Sequence, residues 1–147
     1  MNIHIAADHA GYKLKESIKK ILSNEGHFVT DHGALEYDAL DDYPDFIFPA
    51  ANAVANDKNS RGIIFGGSGQ GEAMAANRIK GIRAAVFYGG NKDIPTLSRH
   101  HNDANILSIG ARFVSSKGII KVLDDWLETP FDGDRHIRRI QKLDKKT

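Results

Sequence analysis

A glycine-rich segment, Gly66–Glu72 with the sequence GGSGQGE, holds the residues with the clearest chemical potential in this 147-residue chain. It lies between an apolar run that predicts a buried strand and a run that predicts a helix, and backbone N–H groups at such a turn attract negative charge. Its spacing matches neither nucleotide-binding template, because Glu72 stands where a dinucleotide fingerprint needs glycine and no Lys-Ser/Thr pair follows Gly71. A tight turn that only packs a helix against a strand is the ordinary alternative.

Glu72 gives this segment a candidate reaction. A carboxylate on the first turn of the helix would repel a phosphate bound to the same N–H groups, but it suits a neutral substrate end on which an oxyanion forms transiently. The N–H groups can stabilise a developing enediolate while the carboxylate removes the neighbouring carbon-bound proton. The alternative is an acidic residue placed there only by its favourable interaction with the helix dipole.

Asp8 and His9 directly follow the first predicted strand, and Arg112 follows the fifth. Ligands of open parallel sheets bind at the carboxyl ends of the strands, near the point where the strand order reverses. If strands one and three are neighbours, Asp8 and His9 share a crevice with the glycine-rich segment. For Asp8, a helix N-cap is a common role that is compatible with a place in the site.

Histidines and arginines of the last helices form a second group of candidates. His100 and His101 are adjacent, so they point to different sides of a helix and make a poor metal chelate. A helix that leaves the fourth strand returns to the amino edge of the sheet, so His101 is expected about one strand length, ~17–20 Å, from its own Glu72. If both act in one reaction, they come from two subunits of a homodimer. Arg135 and Arg139 share a helix face that can bind a phosphate dianion or can simply be solvated.

The elements that must position these residues are short apolar runs alternating with longer amphipathic runs. Strands are predicted at 2–7, 27–30, 62–65, 83–87 and 106–109, and helices at 12–22, 43–55, 72–79, 95–101, 116–127 and 134–143. The alternation is typical of an α/β protein: a three-layer α/β/α sandwich around a five-stranded parallel sheet, with the Rossmann-like or flavodoxin-like order 2-1-3-4-5. No linker or repeat interrupts it, which predicts a single domain over residues 1–147.

Composition excludes several classes of protein. The 20 basic and 19 acidic residues nearly balance. The basic tail from Asp134 to Thr147 lacks interleaved aromatic residues and a reading-helix motif, so no nucleic-acid partner is expected. The chain has no cysteine, which excludes disulfides and thiolate metal sites. The first apolar stretch is too short for a signal peptide and no segment is long enough to span a bilayer, so we expect a cytoplasmic protein with no membrane partner.

Seven groups of residues, in order along nearly the whole chain, resemble the family that contains the type B ribose-5-phosphate isomerases and the related galactose- and allose-6-phosphate isomerases. They are Ala7–Gly11, Asp42–Pro44, Gly66–Glu72 with Ala75–Asn77, Gly81–Ala84, Leu97–Asn102, Gly110–Arg112 and Arg135–Arg139. Many members of this family carry a cysteine base at the position of Gly66. This chain resembles the subgroup in which the base is a glutamate at the position of Glu72.

The resemblance implies a role for each matched residue. Glu72 would be the base, His101 the acid–base that opens the furanose ring, and Ser68 a hydrogen-bonding partner of the reacting end. The residues implied to bind the sugar are Asp8, His9, Tyr43 and Asn102, with the N–H cradle of Gly67, Ser68, Gly69, Gln70 and Gly71. The residues implied to bind the phosphate are His9, Arg112, Arg135 and Arg139. No metal or cofactor is implied, and the assembly is expected to be a homodimer or homotetramer with sites shared between subunits.

The expected function is the interconversion of D-ribose 5-phosphate and D-ribulose 5-phosphate through an enediolate, in the non-oxidative branch of the pentose phosphate pathway. An isomerase for a 6-phosphohexose is the nearest alternative, because it needs only a roomier pocket. A non-catalytic phosphosugar- or nucleotide-binding sensor is disfavoured by the carboxylate of Glu72. A structural or nucleic-acid module that uses the basic tail would bind RNA or DNA with strong salt dependence.

Overall fold

In a computed structural model, residues 1–145 form a parallel five-stranded sheet with helices on both faces. The strands are β1 Asn2–Ala7, β2 Phe28–Asp31, β3 Arg61–Gly66, β4 Ala84–Phe87 and β5 Ile106–Gly110. The helices are α1 Tyr12–Asn24, α2 Pro44–Asn56, α3 Gln70–Ala76, α4 Asp93–Asn102, α5 Ser116–Glu128 and α6 Arg135–Leu143. Every predicted element is present, with ends that differ by three residues or fewer. Lys146 and Thr147, which belong to the predicted basic tail and the predicted single domain, lie outside the described residues.

The predicted fold class is confirmed, but the predicted order of the last two strands is wrong. The observed order is β2-β1-β3-β5-β4, so β5 lies between β3 and β4. All residues of β5 are buried, whereas most of β4 is only partly buried. β5 therefore occupies the central position, where both faces of the strand are covered, and β4 lies at the edge of the sheet. The sequence reasoning placed successive strands side by side, and two short apolar runs gave no reason to exchange them.

Two hydrophobic clusters pack the helices onto opposite faces of the sheet. The first involves α1 and α5 and includes Ile18, Leu22, Val122, Leu123 and Trp126. The second involves α2 and α3 and includes Ile47, Ala50, Val54, Ala75 and Ala76. The central strands are buried on both faces, which is why they appear in the sequence as continuous apolar runs rather than alternating ones. Within residues 1–145, no helix combines the length and the apolar character needed to cross a bilayer.

The exchanged strand order also decides the position of α4. A parallel crossover is right-handed, so a step from β4 back towards β3 puts its helix on the opposite face from α3. Consistent with this, α4 packs against α5, on the face that also holds α1. Its last residue, Asn102, precedes the start of β5 at Ile106, so the C-terminal end of α4 lies at the amino edge of the sheet.

Candidate active site

The carboxyl ends of β1, β3 and β5 meet around a cavity of about 240 Å³. The strand register aligns Ala7 with Phe65 and Gly66 with Gly110, so the segments that follow the three strands begin side by side. The residues that line the cavity are Asp8, His9, Ala10, Tyr43, Gly67, Ser68, Gly71, Glu72 and Arg112. Most of the residues predicted from the ends of these strands are therefore brought together at one place.

Glu72 occupies the space next to the end of β3. Its side chain is in the first turn of α3, and the residue is only 4% exposed. A β-carbon added at Gly66 would overlap the carboxyl group of Glu72. The carboxylate therefore lies where a side chain at position 66 would begin, and glycine is needed there because any larger residue would displace it.

Burial determines the protonation behaviour of Glu72. Burial raises the pKa of Glu72, a hydrogen bond from its own backbone N–H opposes this, and the negative charge of Asp8 raises the pKa further. The net effect is a pKa above the ordinary value for glutamate. The sequence could not weigh burial against the N–H groups, because the depth of the side chain depends on tertiary packing. A raised pKa brings the carboxyl group closer to the range in which a general base works best.

The glycine-rich segment is held against the end of β5. Gly69 has a positive φ of 78°, and its carbonyl accepts a hydrogen bond of 2.6 Å from the hydroxyl of Ser108. The backbone N–H of Gln70 donates to the hydroxyl oxygen of Ser68 at 3.3 Å. Gly69 and Gln70 do not line the cavity, so these two predicted binding residues shape the turn, while Gly67, Ser68 and Gly71 face the cavity.

Two side chains approach the backbone of this segment through its glycines. A β-carbon added at Gly67 would lie 2.9 Å from Nη1 of Arg112, whose backbone N–H donates to the Gly67 carbonyl at 3.1 Å. A β-carbon added at Gly71 would lie 2.7 Å from the ring of Tyr43. A side chain at either position would displace Arg112 or Tyr43. The two glycines therefore allow the Arg112 guanidinium and the Tyr43 ring to lie close to Glu72.

Asp8 and His9 line the same cavity and are fixed by short hydrogen bonds. Oδ1 of Asp8 accepts the backbone N–H groups of Ala10 and Gly11 at 3.0 and 3.3 Å, so the turn before α1 is stabilised by the residue that also lines the cavity. Nδ1 of His9 lies 2.7 Å from Oδ1 of Asp41, a residue that the sequence reasoning missed. Asp41 stands among other acidic residues in a polar loop, and no spacing distinguished it from them.

The other predicted site residues lie elsewhere. His101, Asn102, Arg135 and Arg139 do not line this cavity. His101 is at the amino edge with the end of α4, where its ring stacks on that of His136 with 4.8 Å between the ring centroids. Asn102 lines a separate cavity that Leu143 of α6 also borders. Within one chain, the structure therefore brings together one half of the predicted site and separates the other half from it.

Comparisons with known proteins agree on one family. The model of the Ribose/Galactose Isomerase family matches residues 3–143. Ribose-5-phosphate isomerase B of Mycobacterium tuberculosis is 42% identical over 144 residues, which cover 97% of this chain and 88% of that protein. The solved ribose-5-phosphate isomerase B of Mycoplasma genitalium with bound ribulose-5-phosphate has a TM-score of 0.91 at 42% identity and 97% and 93% coverage. The ribose 5-phosphate isomerase of Thermotoga maritima has a TM-score of 0.92 at 40% identity, with 99% and 98% coverage.

Proposed function

The chain belongs to the ribose/galactose isomerase family, and we propose that its carboxyl-edge cavity interconverts D-ribose 5-phosphate and D-ribulose 5-phosphate. The similar proteins carry the name ribose-5-phosphate isomerase B, and one of them was solved with ribulose-5-phosphate bound. The observation that carries the proposal is the position of Glu72, a buried carboxyl group with a raised pKa at the cavity wall. Proton transfer at a carbon next to a carbonyl group requires such a base at the wall of the substrate cavity.

The reaction moves one proton between two neighbouring carbons. In the open-chain aldose, Glu72 takes the proton from C2 as the C1 carbonyl becomes the oxyanion of an enediolate. The same carboxyl group returns the proton to C1, while the proton of the C2 hydroxyl passes to the oxyanion on C1, so that C1 carries a hydroxyl group and C2 becomes the carbonyl of the ketose. Substrate and product are isomers, so no electron acceptor is consumed. A positioned base of this kind contributes about 10²- to 10⁴-fold to the rate.

The glycine-rich segment is the proposed partner of the base. Gly67, Ser68 and Gly71 line the cavity together with Glu72, and preorganised N–H or O–H donors next to a developing oxyanion contribute about 3 kcal/mol each. Because donors of this type can stabilise the negative charge on the enediolate, the proposed mechanism needs no metal and no cofactor. Asp8 and Tyr43 complete the wall that would hold the sugar.

The binding of the phosphate and the opening of the furanose ring are assigned to two subunits. His9 and Arg112 are in the cavity, whereas His101, Asn102, Arg135 and Arg139 are not. A cavity of about 240 Å³ is also smaller than the ~300–1,000 Å³ typical of ligand pockets. A second copy that presents its amino edge would enlarge the pocket and supply the missing groups. The proposed assembly is therefore a homodimer, or a homotetramer built from such dimers.

Exposed aromatic side chains support this assembly. Tyr88 and Phe113, which are 53% and 62% exposed, contact each other edge to face just beyond the ends of β4 and β5. Large exposed apolar groups next to a site are typical of interaction surfaces.

A role in the pentose phosphate pathway and a cytoplasmic location belong to the same proposal, because a phosphorylated sugar is charged and does not cross a bilayer unaided.

An isomerisation assay with ribose 5-phosphate and allose 6-phosphate, offered separately, tests the function. The wild type should convert the pentose, and Glu72→Gln should lose 10²- to 10⁴-fold in kcat while still binding the sugar phosphate. Glu25→Gln, which changes an exposed glutamate at the end of α1, is the matched control and should keep full activity. Faster conversion of the hexose would point to the 6-phosphohexose isomerase, and wild-type binding without turnover of either sugar would point to the sensor.

A further inference from the structure

Asp41 lies in the loop between β2 and α2, and its hydrogen bonds join it to His9. Its oxygen Oδ1 accepts the backbone N–H of His9 at 3.0 Å and the ring Nδ1–H at 2.7 Å. The side chain of Asp41 is only 7% exposed, so water competes little for this oxygen. The contact spans 32 positions of the sequence, and therefore it connects the loop to the end of β1 rather than stabilising a local turn.

This bond determines which ring nitrogen of His9 is available to a ligand. An ionised carboxylate only accepts hydrogen bonds, so Nδ1 carries the proton that faces Asp41. His9 lines the cavity, and Nε2 is the nitrogen that remains for a bound molecule. A histidine whose Nδ1–H is held by a carboxylate keeps one tautomer and one ring orientation.

The second oxygen of Asp41 provides a further argument. Oδ2 is buried, and within residues 1–145 it has no hydrogen-bond partner. A buried polar atom without a partner is unfavourable and calls for an explanation. Because the hydrogen bonds of this carboxylate lead to His9, its negative charge is best balanced when the His9 ring is positively charged. The hydrogen bonds between this carboxylate and His9 therefore favour a cationic His9.

We propose that Asp41 is a positioning residue that holds His9 as a cation, so that its Nε2–H donates to the substrate phosphate beside the guanidinium of Arg112. The inference rests on the proposed isomerase function, which supplies the phosphate. His9 and Arg112 line one cavity, and charge-assisted hydrogen bonds from two cationic donors suit a phosphate dianion. Asp41 itself does not touch the substrate and acts only through His9.

The charged groups around His9 favour its protonated, cationic state. The hydrogen bond to Asp41 raises the pKa of His9 most; burial opposes this, the carboxylate of Asp8 adds to it, and Arg112 lowers the pKa. The ring of Tyr37 meets His9 edge to face at 6.3 Å, and Glu72 lines the same cavity. A cationic His9 is therefore fully formed at low pH and is lost as the pH rises through its raised pKa. Without the Asp41 carboxylate, this loss moves to lower pH.

A divalent cation is a different use of the same neighbourhood. Ligand atoms of Asp8, His9 and Asp41 lie within 4.8 Å of one another, a spacing that a metal ion could use. However, Nδ1 of His9 and Oδ1 of Asp41 are already bonded to each other, and Oδ2 of Asp41 is buried. The positioning role accounts for the observed contacts without moving any of these atoms.

The test is Asp41→Asn, which keeps the size of the side chain and removes its charge. The Michaelis constant for ribose 5-phosphate should rise about tenfold at pH values above neutral, as expected for the loss of a charge-assisted bond to the phosphate, while kcat changes less than about threefold. The difference should shrink at lower pH, where His9 is protonated in both proteins. Asp45→Asn, an exposed carboxylate in the first turn of α2, is the matched control and should leave both constants unchanged.

Two readouts separate this role from a mere anchoring of the loop. In a His9→Gln background, Asp41→Asn should add less than about twofold to the Michaelis constant, because its effect passes through His9. In ¹⁵N NMR spectra, His9 should show the Nδ1–H tautomer once it is neutral at high pH, titrate at lower pH in Asp41→Asn, and shift on addition of inorganic phosphate. A pH-independent loss of kcat, full additivity with His9→Gln, or an unchanged titration of His9 would overturn the inference. If the wild type does not isomerise ribose 5-phosphate, the proposed function is overturned, but the NMR measurements still test whether Asp41 holds His9 as a cation.

Discussion

Gly66→Ala tests the position of the proposed base with a single methyl group. The added β-carbon would overlap the Glu72 carboxyl group, so the carboxyl group must retreat by roughly 1 Å. A misplacement of that size costs on the order of 100-fold in rate, and complete loss of the positioned base costs up to about 10⁴-fold. We therefore expect kcat for ribose 5-phosphate to fall between these limits, with little change in the Michaelis constant because the proposed phosphate-binding groups, His9 and Arg112, are not displaced by the methyl group.

The assay must separate displacement of the base from loss of the fold. Overpacking a core position typically costs about 1–3 kcal/mol of stability, so activity should be measured well below the unfolding midpoint of each variant. Gly118→Ala adds the same methyl group on an exposed position of α5 and should leave kcat unchanged. If Gly66→Ala folds and keeps wild-type kcat, the assignment of Glu72 as the base is refuted.

A cysteine at the same position extends the test. In Gly66→Cys with Glu72→Ala, the shortened side chain at position 72 vacates the space that the carboxylate occupied, and the new thiol enters it, at the position where the resemblance implies a cysteine base in other members of the family. We expect part of the lost kcat to return, with an activity optimum at higher pH because the thiolate is the reactive form. Iodoacetamide should abolish the recovered activity and leave the wild type untouched, since the wild-type chain has no cysteine. Failure to recover any activity would show that a base at the end of β3 is not sufficient.

Three further predictions concern acid, assembly and metals. Because the pKa of Glu72 is raised and only its ionised form is a base, kcat should fall on the acid side at a higher pH than an ordinary glutamate would give. A raised carboxyl pKa makes the ionised group unfavourable in the folded state, so Glu72→Gln should unfold at a higher temperature than the wild type at neutral pH. The difference should shrink as the pH falls through the raised pKa of Glu72 and vanish below the ordinary pKa of glutamate. Mixing equal amounts of Glu72→Gln and His101→Asn subunits should restore about a quarter of wild-type activity. After random exchange about half of the dimers are mixed, and each mixed dimer has one intact site of its two. No recovery would place the site within one chain. EDTA should leave activity unchanged, and a loss that Mn²⁺ or Zn²⁺ reverses would instead favour a metal site at Asp8, His9 and Asp41.

The parts of the site that the sequence could predict are those carried by local pattern. The buried strands appear as apolar runs, and the segments that follow β1, β3 and β5 were expected at one edge because parallel strands share their carboxyl end. Long-range contacts carry no such pattern. The bond between His9 and Asp41 depends on how the loop before α2 folds back, and the fit of Glu72 against Gly66 depends on side-chain depth.

The one error in topology turns out to matter for the proposed site. With the predicted order, β4 would separate β5 from β3, and Arg112 would start about 10 Å from the glycine-rich segment, since neighbouring strands lie ~4.8 Å apart. In the observed order, Gly110 pairs with Gly66, and the backbone N–H of Arg112 bonds to Gly67. The same exchange sends α4 to the other face of the sheet. Placing β5 in the centre therefore brings the phosphate-binding candidate Arg112 close to Glu72, while His101 at the end of α4 stays at the opposite edge of the sheet. In the proposed reaction, His101 must therefore come from a second subunit.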